Sequence, residues 1–168
     1  MISGARPKGG RFMKLYVKQK VISWSDKFNV KNAEKEDMYF VEGEFFSMGS
    51  KLHIYNKFRD EVGFVKQNFF SLRPRFEVYR SGVKSAEVIK KYNWLEPEYD
   101  INGLDWTVKG DSNIHEYDIN GGFGKIASVK RVRFFWGDSC EIDVINPADE
   151  LLVLGTVLAL DCVNGTRR

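Results

Sequence analysis

Apolar and polar positions alternate along most of this chain, in short segments separated by turn residues. Between residues 51 and 58, Leu52 and Ile54 fall on one face while His53 and Tyr55 fall on the other. This period of two is typical of β-strands that bury one face, and here we also expect Phe58 to point inward. Similar segments are predicted at residues 14–20, 28–30, 38–46, 62–68, 75–80, 104–108, 123–129, 132–136 and 139–144.

One segment near the C-terminus has a different pattern. Leu151 to Leu160 is uncharged and apolar on every side, whereas a surface helix carries a single apolar stripe. Asn146 and Pro147 precede it, a cap and a first-turn residue that suit the start of a helix. The run is shorter than the roughly 20 apolar residues that a membrane span needs. We therefore predict a core helix over about residues 147–162, wrapped by the strands.

The spacing of turn signals indicates an antiparallel meander. The sequence Tyr-Asp-Ile-Asn-Gly occurs at 99–103 and again at 117–121, and Asn-Gly favours tight hairpins. A last hairpin is predicted to turn at Gly137–Asp138. Lys84 to Tyr92 could be helix or strand, and the surrounding hairpins favour strand. About a dozen strands closed into a barrel would leave a lumen wide enough for the helix.

The two ends of the chain differ from this pattern. Residues 1–12 and 164–168 lack apolar periodicity, and we expect a flexible N-terminal tail, a single domain over residues 13–163 and a short C-terminal tail. The sequence leaves open whether these tails are native or were added for expression. Without them the net charge of +3 becomes slightly negative. The basic isoelectric point is therefore weak support for nucleic-acid binding, which we do not expect.

Motifs for catalysis and metal binding are weak in this sequence. His53 and His115 have no second ligand at metal-binding spacing, and the glycine-rich stretch at 120–124 lacks the Lys-Ser/Thr of a phosphate loop. Cys140 and Cys162 are expected to be buried free thiols. We predict no catalytic residue, no metal and no cofactor. No signal-peptide pattern follows Met13, so a cytoplasmic location is expected, with peripheral membrane contact as an added hypothesis.

Two clusters of basic residues and one acid are the candidate site residues. Clustered Lys and Arg usually form a solvated face, but they can also bind an anionic ligand or an acidic lipid surface. Asp161 closes the apolar helix, where the helix dipole disfavours negative charge, so it is either solvated or paired, or a buried pocket acid with a raised pKa. The basic candidates are Arg73 and Arg75, near Arg80 and Lys84, and Lys130, Arg131 and Arg133, near Lys125.

Four stretches together resemble the LURP-one-related family. They are residues 63–79, residues 99–106, the segment Trp-Gly-Asp-Ser-Cys-Glu-Ile-Asp-Val at 136–144, and the apolar run that closes at Asp161. The resemblance is to small bacterial members, grouped with tubby C-terminal-like proteins and phospholipid scramblases. It implies a twelve-stranded β-barrel around a central apolar helix, which agrees with the pattern above, and it carries no agreed activity.

Three functional hypotheses follow from the sequence. The first is a non-enzymatic barrel module that binds anionic lipid head groups or another anionic ligand through its basic strands. The second is a scaffold for a protein partner, and the third is an enzyme with a pocket near the end of the core helix. Some tubby relatives bind phosphoinositides and scramblase relatives act at membranes, so the resemblance favours the first.

Overall fold

A computed structural model describes residues 13–18, 27–46, 49–93, 95 and 97–165. The predicted N-terminal tail, residues 1–12, lies outside these ranges, as do residues 166–168. Within the described residues, twelve antiparallel strands close into one barrel in which each strand pairs with its neighbours in sequence and β1 pairs with β12. The strands are β1 Met13–Lys18, β2 Lys27–Lys31, β3 Asp37–Phe46, β4 Gly49–Asn56, β5 Glu61–Gln67, β6 Arg75–Arg80, β7 Val83–Lys90, β8 Tyr99–Asn102, β9 Trp106–Asp111, β10 Glu116–Gly121, β11 Gly124–Phe134 and β12 Gly137–Val144.

The alternating pattern places side chains as predicted in most strands. Leu52 and Ile54 in β4 are buried inside the barrel, as are Phe76 and Val78 in β6. The ambiguous segment from Lys84 to Tyr92 is strand as far as Lys90, where β7 ends, because its buried residues Ala86 and Val88 follow the period of a strand next to β6. The predicted fold class, a mainly β protein with a closed barrel around one C-terminal helix, is confirmed.

Two turns differ from the prediction. Phe58 lies in the turn between β4 and β5 and is 73% exposed, because β4 ends at Asn56 before the alternation reaches it. Residues 123–129 and 132–136 were predicted as separate strands, but β11 runs unbroken from Gly124 to Phe134. Its N-terminal half pairs with β10, and its residues from Ala127 to Phe134 pair with β12, so the turn falls at 135–136 rather than at Gly137–Asp138.

The core helix begins as the sequence predicts. A 3-10 turn covers Pro147–Asp149, and the Asn146 side chain accepts a hydrogen bond from the Ala148 N–H at 3.1 Å. Helix α1 then spans Glu150–Gly165, and residues 152–160 are all buried. The helix continues past residue 162, so Asn164 and Gly165 belong to it rather than to the expected C-terminal tail. The physical reason is a set of hydrogen bonds at Asn164, described below.

Glycine allows α1 to approach the barrel wall closely. A Cβ atom on Gly155 would lie 2.6 Å from Cγ1 of Val78 in β6, well inside van der Waals contact. The helix packs mainly against β5, β6 and β7. Leu151 lies close to Gly63 in β5, so the start of α1 is at the end of the barrel where β5 begins. We call that end the Pro147 rim; it carries the turns 57–60, 81–82 and 122–123.

The opposite end of the barrel surrounds the end of α1. Side chains of Lys90, Tyr99 and Ser112 contact Asn164 there. Because neighbouring strands are antiparallel, the connections 68–74, 91–98 and 112–115 all lie at this end. We call these three connections the Asn164 rim.

Candidate functional site

A closed set of hydrogen bonds fixes the end of α1 to the barrel wall. The Tyr99 hydroxyl donates to Asn164 Oδ1 at 2.6 Å and accepts from Ser112 Oγ at 2.7 Å. Asn164 Nδ2 donates in turn to Ser112 Oγ at 3.0 Å, and Lys90 Nζ donates to Asn164 Oδ1 at 3.0 Å. Because each partner is at least partly buried, these bonds satisfy polar groups that would otherwise be left unpaired.

The candidate pocket acid, Asp161, is paired with a histidine. His115 Nε2 lies 2.7 Å from Asp161 Oδ1, and the side chain of Asp161 is almost fully buried. Burial raises the pKa of Asp161, and the hydrogen bond and charge of His115 only partly oppose it. Burial alone would lower the pKa of His115, but the hydrogen bond and charge of Asp161 outweigh it and raise that pKa. The contact therefore joins two groups whose pKa values are both raised, and it favours the charged form of His115.

Other buried groups near Asp161 are held in their neutral form. The Tyr117 hydroxyl is buried with no hydrogen-bond partner among the described residues. Burial raises the pKa of Tyr117, and the charge of Asp161 adds to the effect. Cys140 and Cys162 are free and buried, as predicted, and burial raises the pKa of both thiols. Burial therefore favours the neutral forms of Tyr117, Cys140 and Cys162, and Asp161 as a pocket acid stays a prediction.

The first basic cluster is mostly paired on the outer face of β6 and β7. Arg75 Nη1 lies 3.0 Å from Glu87 Oε1, and Lys84 Nζ lies 2.9 Å from Glu77 Oε1. Burial would raise the pKa of Glu77, but hydrogen bonds from Lys84 and Tyr79 lower it. Arg73 differs, because it is exposed in the connection 68–74 and its guanidinium carbon lies 5.5 Å above the ring of Tyr92.

The second basic cluster is divided between the two faces of β11. Lys130 points to the outer face, where its Nζ lies 3.4 Å from Glu141 Oε1. Arg131 and Arg133 follow the inward positions Ala127 and Val129, but they extend beyond the buried part of the barrel and are exposed. Arg131 is close enough to His115 for its charge to oppose the protonation of that imidazole.

The structure thus separates the five basic candidates by their surroundings. Arg75 and Lys130 have carboxylate partners, Glu87 and Glu141, although Glu141 also pairs with Lys14 at 3.0 Å. Arg73, Arg131 and Arg133 form no ion pair with the acids of the described residues, and all three lie toward the end of the barrel where α1 ends. Of the five candidates, these three have guanidinium groups that no described acid pairs with, so they are the ones considered below for anion binding.

A cavity and a group of exposed apolar side chains accompany Arg73. The cavity is a surface cleft of about 470 Å³ that is lined by Arg73 and Arg75 together with Phe70, Leu72 and Asp100. Phe70 is 90% exposed and Leu72 100%, and outside the lining Tyr92 is 76% and Leu95 86% exposed. Residues 69–74 lie between two predicted strands, at 62–68 and 75–80, and apart from Arg73 were not among the candidate site residues. The signal in the sequence is a run of large apolar residues outside any alternating segment.

Metal and membrane-spanning signatures are absent from the part of the chain that the structure describes. No group of three or more His, Cys, Asp or Glu side chains there could hold a metal ion. His53 lies between two carboxylates, 2.7 Å from Glu44 and 2.6 Å from Glu61, on the outer face of the barrel. Among the described helices, none has the length and hydropathy to cross a bilayer.

A twelve-stranded barrel around one apolar helix defines a distinctive class of protein, and sequence comparison assigns the chain to it. The sequence model of the LURP-one-related family matches residues 13–161. The uncharacterized protein YxjI of Bacillus subtilis (strain 168) is 30% identical over 151 residues, covering 90% of this chain and 93% of that protein. The chain belongs to the LURP-one-related family.

A solved structure has a similar fold. The X-ray structure of the Arabidopsis thaliana protein AT5G01750 matches with a TM-score of 0.66 at 16% identity, over 92% of this chain and 93% of that one. At this level of identity the likeness concerns the barrel and its helix alone.

Proposed function

We propose that this protein is a non-enzymatic barrel module that binds acidic lipid surfaces through the end of the barrel where α1 ends. The observation that carries the proposal is the presence there of three exposed guanidinium groups, at Arg73, Arg131 and Arg133, for which the described part of the chain offers no ion-pair partner. Acidic leaflets attract such groups by about 1 kcal/mol for each residue near the surface. This surface is smaller than the basic strands suggested by the sequence, because Arg75 and Lys130 are already paired.

The proposal implies a peripheral protein of the cytoplasmic leaflet. Acidic lipids give that leaflet its negative potential, and the attraction falls off within a Debye length of about 8 Å at physiological salt. The guanidinium groups must therefore come close to the phosphate layer to contribute. Their position at one end of the barrel allows this, because a single orientation can bring that end to the membrane.

Vesicle flotation tests the proposal. The test variant replaces Arg73, Arg131 and Arg133 by Ala, and the control replaces Lys57, Arg59 and Lys125, which lie toward the Pro147 rim, so both lose the same net charge. Binding to vesicles with acidic lipid should fall roughly 100-fold or more in the test variant, from three contributions of about 1 kcal/mol. The control should bind like the parent. Equal losses in both variants, or no binding of the parent at low salt, would reject the proposal.

A further inference from the structure

Four large apolar side chains stand out from two neighbouring connections of the Asn164 rim. Phe70 and Leu72 belong to the connection 68–74, and Tyr92 and Leu95 belong to 91–98. The connections are in contact, because Lys90 N donates to Pro74 O at 3.4 Å and the Arg73 guanidinium lies over the Tyr92 ring. Single exposed apolar residues are common on soluble proteins, but a group of them beside a cation marks a surface that binds something.

Local hydrogen bonds hold these side chains outward. In the first connection, the Phe70 N–H donates to Asn68 Oδ1 at 3.2 Å and the Arg73 N–H donates to Ser71 Oγ at 3.3 Å. In the second, the Leu95 N–H donates to Asn93 Oδ1 at 3.0 Å. Such turns are formed by short polar side chains that bond to the backbone two residues onward. The sequence therefore builds two turns whose apolar residues project away from the barrel.

We infer that Phe70, Leu72, Tyr92 and Leu95 insert into the boundary between head groups and acyl chains of an acidic bilayer, with Arg73 at the level of the phosphates. The inference rests on the proposed function and adds how the protein engages the membrane. Arginine suits this position because its stem lies along apolar surface while its guanidinium stays with the phosphates. Tyrosine suits the same boundary, having an apolar ring and a polar hydroxyl.

The backbone limits how deeply these turns insert. Irregular turns carry N–H and C=O groups that find no partners in hydrocarbon, so the turns cannot enter the bilayer core. Only their side chains reach the acyl boundary, at a depth of about 5–10 Å that is typical of interfacial binding. A protein partner would be an alternative occupant of such a surface. We favour the bilayer because the cation that lies within this apolar group is Arg73, which is exposed over the Tyr92 ring and has no ion-pair partner among the described residues.

A fluorophore that reports polarity tests the insertion directly. Leu72→Cys and Leu95→Cys place a thiol on each turn, and Phe123→Cys places a matched thiol on the Pro147 rim, where Phe123 is fully exposed. The native thiols of Cys140 and Cys162 are buried and should not react in the folded parent, which labelling of the parent verifies. With acidic vesicles, the emission of both rim labels should shift to the blue and be quenched by lipid-borne nitroxides. The label at residue 123 should not respond.

Serine substitutions supply the second measurement. The double variant Phe70→Ser/Leu72→Ser should bind acidic vesicles at physiological salt at least about tenfold more weakly than the parent, because two large apolar side chains no longer leave water. Phe58→Ser/Phe123→Ser, at the Pro147 rim, is the matched control and should bind like the parent. Circular dichroism establishes that all variants are folded.

The outcomes separate the inference from the function on which it rests. If the parent binds acidic vesicles while the rim labels stay unshifted and the Phe70→Ser/Leu72→Ser variant binds equally well, insertion is overturned and electrostatic binding stands. If the parent binds no vesicles, both fail. A blue shift of the rim labels without vesicles, growing with protein concentration, would show that a second copy of the chain covers the turns and would also overturn the inference.

Discussion

Gly155 lies where α1 closely contacts the barrel wall. We predict that the effect of Gly155→Ala on the free energy of unfolding changes sign with the side chain at position 78. In Gly155→Ala the new methyl group would lie 2.6 Å from Cγ1 of Val78. Overpacking of this kind usually destabilises a core by about 1–3 kcal/mol. Alanine also favours a helix over glycine by about 1 kcal/mol, which offsets part of the loss. We expect a net loss of about 1 kcal/mol in the free energy of unfolding.

The Val78→Ala background should reverse this effect. Val78→Ala alone removes two buried methyl groups and leaves a cavity, so it should destabilise the protein by about 2 kcal/mol. In that background the methyl group of Gly155→Ala meets no clash, and its helix preference should stabilise the protein by about 1 kcal/mol. The coupling between the two sites is then about 2 kcal/mol, within the range known for residues in contact.

Urea unfolding followed by circular dichroism measures all four proteins of this cycle. The slope of unfolding free energy against urea should stay constant, which shows that the compactness of the two states has not changed. If Gly155→Ala shifts the stability equally, and with the same sign, in both backgrounds, α1 does not press against β6 at this position and the packing described above is wrong.

Two further predictions concern the end of α1. Asn164→Ala should lower the free energy of unfolding by about 1–3 kcal/mol, because the Tyr99 hydroxyl and Ser112 lose buried partners, and a loss below about 0.5 kcal/mol in denaturant melts would contradict this. Burial and the charge of Arg131 lower the pKa of His115 in the folded state, but the hydrogen bond and charge of Asp161 outweigh them and raise it. The stabilisation that protonated His115 contributes is therefore complete below about pH 6.5, the pKa of an unperturbed histidine. It is lost as the pH rises through the folded-state pKa of His115. The parent should therefore exceed His115→Gln in unfolding free energy more at about pH 5.5 than at about pH 8.5, and an equal difference at both pH values would contradict the pairing.

The architecture could be predicted from local patterns because burial imposes a period on each element. An apolar run without a polar face, at Leu151 to Leu160, has to be enclosed, and the alternating segments before it are the only material that can enclose it. The extent of β11 could not be read in the same way. Its first residues pair only with β10, residues 127–129 pair with both β10 and β12, and residues 130–134 pair only with β12, so the pattern of burial changes although the backbone stays extended.

The surroundings of the candidate site residues could not be predicted from the sequence, because they depend on pairings between distant parts of the chain. Asp161 meets His115 across 46 positions, and neither side chain carries a local sign of the other. Lys130 and Arg131 are adjacent basic residues in the sequence, but they point to different faces of β11. The strand register places Lys130 opposite Glu141, whereas Arg131 lies toward the end of the barrel. The basic clusters in the sequence therefore included residues whose charges are paired in the structure, and the unpaired basic surface is smaller than they suggested. The projecting apolar turns were visible as composition, but their exposure depends on where the barrel ends.

Equilibrium binding of the parent to vesicles tests the central functional claim most directly. Sedimentation with vesicles of neutral lipid, and with vesicles that also contain acidic lipid, gives the two partition coefficients at the same physiological salt. We predict strong preference for the acidic vesicles, loss of most of that preference when Arg73, Arg131 and Arg133 are replaced by Ala, and retention of it in the charge-matched variant of the Pro147 rim. Equal partitioning into both kinds of vesicle, or a preference that survives the loss of these three arginines, would contradict it.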